Sequence, residues 1–122
     1  MLMQRFPDFL TEFERTVLAY MLQVDSEETR VLREQLASSS LESRDHNGYG
    51  FFTNFKVDSG SALCERANFE LANVTAVLSG QLCGFILFVR DGKIEFLEGS
   101  PLGGDEWPSP EKIETVSGFQ SC

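Results

Sequence analysis

The stretch Gly84–Glu98 limits the fold more than any other part of the chain. Two runs rich in Phe, Ile, Leu and Val, Gly84-Phe-Ile-Leu-Phe-Val-Arg90 and Lys93-Ile-Glu-Phe-Leu-Glu98, are separated only by Asp91-Gly92. Asp-Gly between such runs predicts a two-residue hairpin, because a type I′ turn needs positive φ at both central positions. The turn then implies a register, with Arg90 opposite Lys93, Val89 opposite Ile94, Phe88 opposite Glu95, Leu87 opposite Phe96 and Ile86 opposite Leu97. One face carries Leu87, Val89, Ile94 and Phe96 and is expected to meet helices. The other carries Arg90, Lys93 and Glu95 near the turn and Ile86, Phe88 and Leu97 further along. A face that is only half polar calls for cover by the C-terminal segment, another subunit or a ligand.

The helices to pack on that hairpin are expected in residues 1–38. Phe6, Leu10, Phe13, Val17, Met21 and Val24 recur every three or four positions, one face of a helix. Pro7 suits a first turn, and Asp8, Glu12 and Glu14 lie toward the positive end of the dipole. A second helix is expected to open at Asp25 or Ser26, with Asp25 and Glu28 as a capping box and Val31, Leu32 and Leu36 as its buried stripe. The short link makes the pair an αα-hairpin. After Ser38-Ser39-Ser40 the period changes to two. Tyr49, Phe51, Thr53, Phe55 and Val57 alternate as a strand, with Leu41–Asp45 as its leading end or a short strand of its own. Asp58–Ala67 reads as a loop and Phe69–Leu78 as the next strand. The predicted fold is α+β: an N-terminal αα-hairpin on an antiparallel β-meander of about four strands in residues 41–99. A Trp- and Pro-containing loop segment follows in 100–122, all in one domain.

Composition narrows the functions. Ten basic and 19 acidic residues among 122 give a formal net charge of −9. By thirds of the chain the balance is −3, −2 and −4 (4 − 7, 3 − 5 and 3 − 7), so the acid is spread along it. Nucleic acid and anionic membrane are the two targets this charge argues against, since both need Lys and Arg. Cys64, Cys83 and Cys122 are widely spaced without a CxxC, which argues against a disulfide framework or a cysteine zinc site. Met1–Leu10 has no long apolar run and does not read as a signal peptide. The expected compartment is the reducing cytoplasm. No cofactor is expected.

No convergent catalytic set stands out, and the reading leans away from an enzyme. His46 is the single histidine and sits beside Asn47-Gly48, as an exposed turn residue would. Cys64 lies in a loop with nothing to mark it as activated, and Cys83 reads as a small core residue. Glu98, Asp105 and Glu106 with Trp107 are the densest candidate set: carboxylates beside an aromatic can hold a cation, a sugar or a basic side chain. The competing reading makes Trp107 a packing anchor and Asp105 and Glu106 solvated. Phe51 and Phe55 are assigned to the core. Phe52 points the other way, toward the face with Ile86, Phe88 and Leu97, which is the best hint of a binding surface.

The second half resembles an uncharacterised family of small bacterial proteins. The resemblance rests on Gly48-Tyr-Gly-Phe-Phe-Thr-Asn-Phe55, Gly84–Gly92, Phe96-Leu-Glu-Gly99 and Gly104-Asp-Glu-Trp-Pro108. It implies a bacterial, cytosolic, single-domain α+β protein and supplies no catalytic residues. Two functions follow as expectations. The first is a non-enzymatic acidic interaction module, immunity- or antitoxin-like or homodimeric, docking through Phe52 and Phe88 with Glu98, Asp105 and Glu106. The second is a small-ligand site at the sheet end, built from Tyr49, Phe52, Glu98 and Trp107.

Overall fold

A computed structural model of the chain describes residues 6–46, 50–78 and 81–102, and the backbone of 116–121. Two helices, α1 (Glu12–Met21) and α2 (Glu27–Ala37), precede β1 (Ser40–His46), β2 (Phe51–Lys56), β3 (Phe69–Leu78), β4 (Gln81–Arg90), β5 (Lys93–Pro101) and β6 (Val116–Ser121). The strands form one antiparallel sheet in the order β1-β2-β5-β4-β3-β6. The fold is α+β, as expected. Its sheet is wider than the expected four strands. Residues 40–46 are a separate strand, β5 runs on to Pro101, and β6 lies within the segment read as loop. β6 gives the backbone groups along the outer side of β3 a partner, which an edge otherwise leaves to solvent.

Both helices are short and capped by their own sequence. In α1, Thr11 accepts from the Glu14 backbone N–H (3.1 Å) while the Glu14 carboxylate accepts from the Thr11 N–H (2.8 Å). The helix therefore starts later than the apolar period suggests, with Pro7–Leu10 as a turn before it. Ser26 and Thr29 cap α2, rather than Asp25 and Glu28. Val24, expected on the buried stripe, is 50% exposed in the link. The helix has already ended there, and the Val24 carbonyl accepts from the Thr29 hydroxyl (2.5 Å). Val17, Leu18, Met21, Leu32 and Leu36 are fully buried against one face of the sheet.

Strand order dictates one crossing. β2 and β3 lie on either side of the β5–β4 pair, so residues 57–68 pass over the Asp91-Gly92 turn. Both turn residues have positive φ (54° and 75°), the predicted I′ requirement. The crossing is tied to the turn by Cys64 N–H to the Gly92 carbonyl (2.9 Å) and Gly92 N–H to the Ala67 carbonyl (2.8 Å). Gln35 of α2, wholly buried, completes the tie. Its amide nitrogen donates to the carbonyls of Ala62 and Gly92 (2.8 Å each), and its oxygen accepts from the Ile94 N–H (3.0 Å). One side chain thus joins helix, crossing and hairpin with no polar atom wasted in the core.

The β4–β5 register departs from the simplest reading of the turn. Arg90 opposes Lys93 and Val89 opposes Ile94, but Phe88 then opposes Phe96, Leu87 opposes Leu97 and Ile86 opposes Glu98. Glu95 is the extra residue of a β-bulge. Past the bulge every side chain of β5 changes face. Leu97 is fully buried under the helices, and Phe96 joins the opposite face, the reverse of the assignment made from strict alternation.

Candidate interaction face

The helix-covered face is closed chemistry. Phe51, Phe55, Phe85, Leu87, Val89, Ile94 and Leu97 are buried, and Phe13 of α1 lies edge-on to Phe51 and Phe85 at centroid distances of 6.0 and 5.6 Å. Phe51 covers Gly99, its cross-strand partner, and a Cβ there would run into the Phe51 ring. One charged group is sunk into this core. The Glu14 carboxylate, 3% exposed, accepts from the Thr53 hydroxyl (2.5 Å) and from Arg44 Nε (3.0 Å) and Nη2 (2.7 Å). Thr53 and Arg44 are cross-strand neighbours on β2 and β1, so the pair meets the helix as a prepared donor set. Every lone pair is used, which marks a structural cluster rather than a reactive one.

The opposite face carries the candidate site. Its residues follow from register alone. Asp45, Phe52, Glu98 and Ile86 form one row across β1, β2, β5 and β4. Ser43, Asn54, Phe96, Phe88 and Glu70 form the next, continuing onto β3. Phe88 and Phe96 stack at 4.3 Å and 24°, and Phe52 meets Phe96 edge-on at 5.8 Å. Phe52, Ile86, Phe88, Phe96 and Glu98 are all partly exposed, and no described helix lies on them. Asn54 donates to Ser43 Oγ (2.9 Å) on the β1 side.

Charge is distributed unevenly along this face. Arg90 lies 5.3 Å from the Phe88 ring centroid and pairs with Glu70 at 2.7 Å. Beyond it, toward the turn, a cleft of about 330 Å³ is lined by Lys56, Arg90 and Lys93 together with Glu42, Asp91 and Glu95. At the other end stand Asp45 and Glu98, and among the described residues neither has a basic partner. Two further clefts lie at Ser38–Lys56–Ser59 and beside Cys64 and Leu63, and Glu98 lines none of the three.

Of the residues picked out from sequence, the structure therefore brings Phe52, Phe88 and Glu98 together on one surface. Tyr49, Asp105, Glu106 and Trp107 lie outside the described residues. Leu97 leaves the surface for the core, and Phe96, which sequence reasoning had placed inside, replaces it. The signal was present: Ile94 and Leu97 are both apolar and three apart, which strict alternation cannot bury on one face without a bulge. Cys64 and Cys83 are buried. Burial pushes the Cys83 thiol up to about 11, and burial, with the Glu28 carboxylate adding to it, also raises Cys64, so neither is primed as a nucleophile. Among the described residues no group of three His, Cys, Asp or Glu side chains converges as a metal site, and no helix is long and apolar enough to cross a membrane. Comparison with family models, with curated proteins and with solved structures finds no match.

Proposed function

We propose that the chain is a non-enzymatic interaction module, and that it docks through the sheet face opposite its helices. The observation that carries this reading is the partly exposed cluster of Phe52, Phe88 and Phe96. Three aromatic rings in contact, with Ile86 on the same sheet face, are the usual make-up of an interface centre, and charged groups at its margin are the usual rim. The polar cluster that is buried, around Glu14, is spent on holding β1, β2 and α1 together. The cysteines are disfavoured as thiolates. Cytoplasmic placement, a bacterial origin and kinship with the uncharacterised family that the second half resembles belong to the same proposal.

The test is capture with the full chain as bait, wild type beside Phe96→Asp, with circular dichroism to show that both fold. Phe96 is outside the helix-covered core, so the substitution attacks the surface and not the fold. The reading requires a bound protein, another copy or a different one, that is lost with Phe96→Asp. Identical capture by both baits would contradict it.

A further inference from the structure

We infer that the occupant of this face is a second copy of the same chain, related by a two-fold axis that crosses the strands at the level of Phe96 and Phe88. The inference rests on the docking-face reading above and names its partner. It comes from the order of residues along two adjacent strands. On β2, Asn54 is flanked two positions away by Phe52 on one side and Lys56 on the other. On β5, Phe96 is flanked by Glu98 on one side and, past the Glu95 bulge, by Lys93 on the other. A two-fold axis perpendicular to the strands reverses their direction and exchanges these flanks. Glu98 of each copy then meets Lys93 of the other, and Phe52 meets Lys56. The Phe88–Phe96 stacks lie on the axis and meet each other.

Each of these contacts is chemically sound. Glu98 and Lys93 are opposite charges, and among the described residues neither has an ion-pair partner. An ammonium over a phenyl ring is attractive, and the chain already makes such a contact internally, with Arg90 over Phe88 and Glu70 beside it. An isologous contact needs a surface that is its own complement, and Glu98 at one end of β5 with Lys93 at the other satisfies that for this axis. An axis parallel to the strands through the Phe88–Phe96 stack sets Lys93 against Arg90 and leaves Glu98 against Ile86. Glu42, Asp91 and Glu95 share the lysine end, and Glu70, in the axis row, meets its own copy with Arg90 beside it, so the electrostatic gain is modest and the aromatic centre carries the affinity. Five strands about 5 Å apart and roughly 20 Å long give a flat face of about 500 Å² per copy. That is below the roughly 800 Å² per partner of a standard stable interface, so the dimer is expected to be weak and dependent on concentration.

Sedimentation velocity of the full chain from 10 to 500 µM tests this. The expected result is a concentration-dependent rise from 13.7 kDa toward twice that mass. Glu98→Lys or Lys93→Glu alone should weaken association by about tenfold. Glu98→Lys with Lys93→Glu should restore it to within about threefold, while Glu65→Lys, on another surface, should change nothing. A species that stays monomeric at 500 µM overturns the inference, as does a dimer indifferent to both single changes or one that the double change fails to restore. Nuclear Overhauser contacts from residues 103–115 to the Phe96 ring would mean that the chain covers its own face, and would overturn both this inference and the docking reading. A monomeric wild type that still captures a different protein, lost with Phe96→Asp, removes the second copy and leaves the docking face standing.

Discussion

Glu14 shows how a single side chain can be structural and still look like chemistry. A carboxylate buried beneath an arginine and a threonine invites a catalytic reading, yet its oxygens are fully engaged by Thr11, Arg44 and Thr53. Glu14→Ala would leave the Thr53 hydroxyl and the Arg44 guanidinium without their acceptor. Breaking such a pair typically costs about 3 kcal/mol, and urea unfolding should show a loss of that order. Cys83 gives a second prediction at this scale. Its thiol is fully buried, and that burial holds it protonated up to about 11, above the 9.0 of a free thiol. Below pH 9 folded and unfolded states are both protonated there. Between about 9 and 11 only the unfolded state ionises, so stability falls as pH rises through that window. The fall in melting temperature from pH 8.5 to 10.5 should be shallower in Cys83→Ala than in wild type. The same burial should make alkylation of Cys83 at pH 7.5 at least tenfold slower in the folded protein than in urea.

Among the elements, the β4–β5 hairpin does most to decide which residues face out. Its turn was legible in the sequence because Asp-Gly has one geometric meaning between two strand-like runs. Its bulge showed only as a conflict, because strict alternation buries Ile94 but sends Leu97 outward and Glu98 toward the helices, and nothing local says where the extra residue falls. The bulge sets Leu97 opposite Leu87 in the core and stacks Phe96 on Phe88 outside it, contacts between strands that the sequence does not display. Deleting Glu95 would remove the bulge yet leave Phe96 opposite Phe88 and Leu97 opposite Leu87, so both should keep their faces. With the core pairs kept and only an exposed residue lost, stability should change by no more than about 1 kcal/mol, measurable as a nearly unchanged denaturation midpoint, whereas a fall of several kcal/mol would contradict this register. The helix pair was legible in type and order, since its apolar period is strong. Its boundaries were set by Thr11 and Ser26, whose caps compete locally with that period. β6 had no signal of its own. Its pairing with β3 is a long-range contact that local periodicity does not encode.

Across the whole molecule, the two sheet faces divide the labour. One is sealed by two helices, and Gln35 ties that layer to the crossing and the turn. The other presents Phe52, Phe88 and Phe96 with acid at one end and lysines at the other. Of this candidate site, Phe52 and Phe88 were readable from sequence because their strands and the turn were readable, while Glu98 stood out as a residue but reaches this face only through the bulge. Phe96 was not, because it depends on the bulge. The acid excess is spread along the chain and so singles out no partner. The arrangement along β2 and β5 says more, because it orders opposite charges about a common centre. The central claim is that this face is open to other molecules. The most direct check is solvent paramagnetic relaxation of the phenylalanine ring protons in a dilute sample of this chain. Rings of Phe52, Phe88 and Phe96 should relax several-fold faster than those of Phe51, Phe55 and Phe85, and equal protection of the two sets would contradict the account.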